Sequence, residues 1–143
     1  MGHPTNLNDD MFGVLALSAA SLPASDPVIA ATRDHLLRYQ NADGSWGYAR
    51  GWAGSADTTG AAVAAVVAAG VPASDAAVTR ALAWLKAQQV ASGGFPMEAG
   101  GKKANLQSTA WVLWGLKSAG EDVEGPACGS GSGARTGRWA ATG

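Results

Sequence analysis

A chain of 143 residues with 47% hydrophobic and 15% charged residues has room for one domain built around a real core. Its net charge of −1 lacks the basic footprint of a nucleic-acid binder, and the composition is too apolar for a disordered acidic chain.

In chain order, the first ten residues carry no positive charge ahead of the apolar run Met11 to Ala20, the wrong order for a secretory signal peptide. That run is about half the roughly 20 residues a bilayer span requires, so no membrane span and a soluble chain are expected. The compartment is left open. Cys128 is the single cysteine, and with only His3 and His35 beside it neither a disulfide nor a metal cluster is expected.

The dominant signal is an internal repeat. Residues Leu22 to Trp46 overlay Val71 to Phe95 at an offset of 49 without a gap, and Pro23-Ala24-Ser25-Asp26 meets an identical Pro72-Ala73-Ser74-Asp75. Asp57 to Gly70 overlay Gln107 to Gly120 at an offset of 50, and Asn8 to Ser21 fit the same template at 99. Five helices result, alternating between two types. Asn8–Ser21, Asp57–Gly70 and Gln107–Gly120 are apolar nearly all round, as helices packed among helices are. The two between them open on cap signals at Asp26-Pro27 and Ser74-Asp75. Each of these carries one apolar stripe, Val28, Thr32 and Leu36 in the first and Val78, Leu82 and Leu85 in the second. Gly70 and Gly120 sit where left-handed residues end helices, with Pro23 and Pro72 preventing continuation into the next segment.

Alternating apolar and amphipathic helices bury both kinds of face by curling into two concentric layers. The fold class is therefore all-α, a partial α/α toroid of two-helix repeats over residues 5–124, with a Gly/Ser-rich, disordered tail at 125–143. A small antiparallel bundle shares the helices but leaves the period of 49 unexplained.

The segment from Gln40 through Gly44 to Trp46, repeated as Gln89, Gly93 and Phe95 after Arg80-Ala81 and Trp84-Leu85, resembles the QW motif of squalene and oxidosqualene cyclases. A glutamine at a helix end can bond open backbone groups, and the glycine lets the aromatic fold back across it. These six residues are read as structural staples, and the resemblance places their aromatics on the outer shell. It covers about residues 5–124 and implies the superfamily of terpene cyclases, protein prenyltransferase β subunits and secreted toroid binding proteins. Fold alone does not choose among them.

Cyclases of that family begin catalysis at a DxDD motif followed by Thr, whose second Asp is the proton donor. With Thr59 as the motif threonine, the frame holds Ser55-Ala56-Asp57-Thr58, so only Asp57 keeps the acid position. The other copies hold Asn6-Leu7-Asn8-Asp9 and Asn105-Leu106-Gln107-Ser108. A plainer account of Asp57, Asp9 and Asp10 is helix capping. Phe12, Trp111 and Trp114 are candidates to line an apolar cavity and face a cationic intermediate, although aromatics at helical spacing commonly serve as core. The zinc ligands of prenyltransferases, a thioester motif and a phosphate loop are not found.

After Gly120 the expected next amphipathic helix does not follow; Gly125 to Gly133 is Gly/Ser-rich. The expectation is a truncated or frame-shifted piece of a longer toroid protein, its last helix, Trp111 to Leu116, left uncovered. The functional expectation is a structural or hydrophobic ligand-binding role without independent catalysis. The alternative is an isoprenoid cyclase or prenyltransferase using Asp57 as acid or diphosphate-metal ligand. An isoprenoid or other apolar ligand, self-association and a complementary toroid chain are the partners implied. No cofactor is expected.

Overall fold

A computed structural model describes residues 5–123; Cys128, His3 and the tail 125–143 lie outside them. Five helices follow in order: α1 (Leu7–Ala19), α2 (Pro27–Arg38), α3 (Ala56–Ala68), α4 (Ala76–Gln88) and α5 (Leu106–Ser118). Each begins on a side chain that accepts hydrogen bonds from the free N–H groups of the first turn: Asn6, Asp26, Ser55, Asp75 and Asn105. No strand occurs among the described residues. Two isolated bridges, Asn6 with Ala49 and Ser55 with Glu98, recur at the same offset of 49.

α3 is the centre of the packing. It touches all four other helices, with α1 and α5 flanking it in the inner layer and α2 and α4 behind. Accordingly α3 is buried nearly all round, from Ala56 to Val66. The molecule is thus a two-layered arc, a partial α/α toroid. α1 and α5 each have an inner neighbour on one side only among the described residues, and each buries one face: Leu7, Met11 and Val14 on α1, and Ser108, Val112, Gly115 and Leu116 on α5. The last helix is therefore half covered, contrary to the expectation that nothing covers it, while Leu106, Leu113 and Trp114 remain exposed.

The apolar stripe of α2 also differs from expectation. Ile29, Thr32 and Leu36 are buried, and Val28 is 44% exposed. Spacing of i, i+3, i+7 holds one line along a helix of 3.6 residues per turn, whereas 28, 32 and 36 drift around it. On α4, Val78 and Leu85 are buried as expected, joined by Ala77 and Ala81, while Leu82 is half-buried.

The inner helices end alike. At α3, Gly70 N–H donates to the Val67 carbonyl and Val71 N–H to that of Val66, with Gly70 at φ +89°. α5 repeats this at Gly120, and α1 does so with Ser21, a non-glycine residue at φ +66°.

The Gln-to-aromatic loops join the layers. Gln40 Nε2 donates to the Gly44 carbonyl at 2.9 Å and, across to the next repeat, to the Ala77 carbonyl at 2.8 Å. Arg80 donates back to Gln40 Oε1. Gly44 lies at φ +93°, and an added Cβ would stand 2.8 Å from the Arg80 carbonyl oxygen, so the loop presses on α4 by its backbone. Trp46 is fully buried, its indole N–H donating to the Leu36 carbonyl of α2 at 2.8 Å. Phe95 is equally buried, and Gln89 donates to the Gly93 carbonyl at 2.8 Å.

Candidate functional site

At the N-terminal ends of the three inner helices lies a hollow of about 320 Å³. Its construction follows the repeat. Asn8, Asp57 and Gln107 occupy one register on α1, α3 and α5; one turn further, Phe12, Ala61 and Trp111 occupy another. The first register makes a polar rim, which Tyr48 and Thr58 extend. The second makes an apolar floor, in which the central helix contributes the small Ala61.

Those rings meet each other. Phe12 stands edge-on to Trp111, centroids 5.0 Å apart and planes at 82°. Trp114 stacks on Trp111 at 5.2 Å but is not part of the lining. Of the four residues singled out from the sequence, Asp57, Phe12 and Trp111 therefore share one hollow, with Trp114 buttressing it from outside.

Asp57 is at once a cap and a lining residue. Its Oδ1 accepts from Ser55 Oγ at 2.5 Å and from Thr58 N–H at 3.0 Å, inside a reciprocal box formed by Ser55 and Thr58. It is the only acid among the described lining residues, and no three His, Cys, Asp or Glu side chains group as metal ligands among the described residues.

The threonines of the acid-motif frame have a different job, which sequence reasoning missed. Thr59 Oγ1 accepts the Trp46 backbone N–H at 3.1 Å, while Thr58 Oγ1 donates to the Trp46 carbonyl at 2.6 Å. In the second repeat Thr109 Oγ1 accepts from Phe95 N–H at 2.9 Å. A threonine at this register clamps the backbone of the buried aromatic to the start of the inner helix. Its recurrence at 59 and 109 was the available signal. On α1 the same register holds Asp10, 3.6 Å from His35; burial pushes its carboxyl above the ordinary value and His35 opposes that rise.

A second missed cluster joins the first loop to α4. Asp43 Oδ2 accepts from the indole N–H of Trp84 at 3.0 Å, and its Oδ1 accepts from Ser45 N–H at 3.0 Å and Ser45 Oγ at 2.6 Å.

No described helix is long and apolar enough to cross a membrane. Residues 14–133 match the family model of the squalene-hopene cyclase C-terminal domain. A squalene–hopene cyclase of Zymomonas mobilis is 31% identical over 118 residues, covering 76% of this chain and 18% of that protein. The chain thus spans less than one fifth of the length of this relative.

Proposed function

The chain belongs to the squalene-hopene cyclase C-terminal domain family, and on that footing we propose that it builds part of the wall of an apolar-ligand chamber without catalysing cyclisation itself. Support comes chiefly from the hollow at the repeat registers: a floor of Phe12, Ala61 and Trp111 under a rim of uncharged polar groups and one carboxylate. Such a surface suits an isoprenoid or similar apolar ligand. The acids that would tune a proton donor are replaced by Ser55 and Thr58, and Oδ1 of Asp57 is committed to capping.

One observation favours a second reading, an isoprenoid cyclase with Asp57 as the acid: that carboxylate lines the same hollow as two aromatic rings able to face a cation. As a diphosphate-metal ligand Asp57 is less well supported, since no further acid lines the hollow among the described residues.

Incubation with squalene and shorter isoprenoids, followed by mass spectrometry, separates the readings. The expected outcome is saturable quenching of tryptophan emission, weakened by Phe12→Ala, with no cyclised product. A cyclised product that disappears in Asp57→Asn would establish the second reading. Absence of any saturable quenching would remove the ligand-binding role.

A further inference from the structure

A second depression, of about 530 Å³, lies between the first Gln-to-Trp loop and α4. Asn41 and Asp43 come from that loop, Trp52 from the segment before α3 and Trp84 from α4; the remaining lining is alanine and glycine. It shares no lining residue with the concave hollow.

Asp43 supplies the only charge in this lining among the described residues. Its carboxylate is held by Ser45 on one oxygen and by Trp84 on the other. Partial burial pushes its pKa up, but the hydrogen bonds from Ser45 and Trp84 outweigh burial and hold it below the ordinary 3.8, so it is ionised at neutral pH. No salt bridge reaches it among the described residues. Arg80, one turn before Trp84, is turned onto Gln40 instead.

Trp52 is 63% exposed, yet its backbone is pinned: Asn41 Nδ2 donates to its carbonyl at 3.0 Å, and its N–H donates to the Ala49 carbonyl at 3.1 Å. An indole held in water on a fixed backbone has lost little remaining freedom to a ligand. Indoles lining one depression with a carboxylate that no salt bridge neutralises among the described residues are the pairing that attracts a weakly hydrated organic cation, the ring face through its quadrupole and the acid through its charge. An anion would be repelled, and a hydrocarbon would gain nothing from Asp43.

We propose that the depression formed by Asp43, Trp52 and Trp84 is a binding site for a small alkylammonium head group of the choline type. The head would rest against the indoles with Asp43 as its counter-charge.

Choline is the probe, with 3,3-dimethylbutan-1-ol as its uncharged isostere, each titrated against the full chain while tryptophan emission is followed. Choline should quench saturably and the isostere should bind about tenfold more weakly or worse, the loss expected when a cation–π contact loses its charge. Trp52→Ala, at an exposed loop position, should weaken choline binding by about the same factor with unchanged far-UV circular dichroism. Asp43→Asn is the second variant, and should abolish the preference for choline over the isostere. Sedimentation with phosphatidylcholine vesicles, against phosphatidylglycerol vesicles, identifies the source: pelleting with the first alone points to a lipid head group, and choline binding without pelleting points to a free ligand. Absence of saturable quenching, equal binding of the isostere, or full choline binding by Trp52→Ala would overturn the proposal.

Discussion

Gly115→Ala sets two effects of opposite sign against each other. By helix propensity alone, alanine in place of an interior glycine stabilises by about 1 kcal/mol. Packing opposes it. A Cβ at Gly115 would run into the Gly60 carbonyl oxygen and stand 3.1 Å from both the Gly60 Cα and its carbonyl carbon. The obstacle is backbone, so no side chain can rotate aside and α5 must move as a whole. Overpacking of this kind costs about 1–3 kcal/mol, and an obstacle made of backbone belongs at the upper end. Moving α5 also loosens Val112 and Leu116, both essentially fully buried against α3. The expected net result is a loss of about 1–2 kcal/mol, or roughly 3–6 °C in Tm for a chain of this size. Urea unfolding followed by tryptophan emission measures it. Gly13→Ala in α1 is the control: a Cβ there meets nothing within 4 Å, so propensity should win and stability should rise by about 1 kcal/mol. A midpoint for Gly115→Ala at or above wild type would refute the close-packed α3–α5 crossing.

Ser21→Gly relieves a left-handed residue that glycine fills at Gly70 and Gly120. It should stabilise by roughly 0.5–1 kcal/mol in a thermal melt, after allowing for the greater unfolded-state freedom of glycine. Gln40→Ala breaks two bonds to the next repeat as well as one within its loop, so it should cost about 2 kcal/mol in urea titration, against about 1 kcal/mol for Gln89→Ala. The lowered pKa of Asp43 makes its contribution to stability present above pH 3.8 and lost as pH falls below that value through its folded pKa. Unfolding midpoints measured between pH 5 and the acid limit should therefore decline less steeply in Asp43→Asn than in the parent chain.

The repeat made the helices, their caps and their alternation legible, because each signal is local and occurs more than once. Asp26 and Asp75 begin their helices in the structure, and Gly70 and Gly120 end theirs. The contacts between repeats were not legible. Trp84 with Asp43, Arg80 with Gln40 and Thr59 with Trp46 join residues 13 to 41 positions apart, and no periodicity announces which side chains meet at that separation. Thr59 holds the threonine place of the acid-motif frame, and which backbone its hydroxyl clamps is visible only in the folded chain. The sharing of a hollow by Asp57, Phe12 and Trp111 was implicit in the offsets of 49 and 50, yet only the side-by-side placement of α1, α3 and α5 makes those offsets spatial.

Gly60 has a counterpart on α1 in Met11, a large side chain fully buried at the same register. α3 consequently meets α5 backbone to backbone, while the same register on α1 is filled by a buried thioether. In an arc built from such units, curvature is not a constant of the repeat. It is written at single crossing positions by the size of one residue, so one exchange between glycine and methionine there would tighten or open the bend locally while leaving every cap and staple in place.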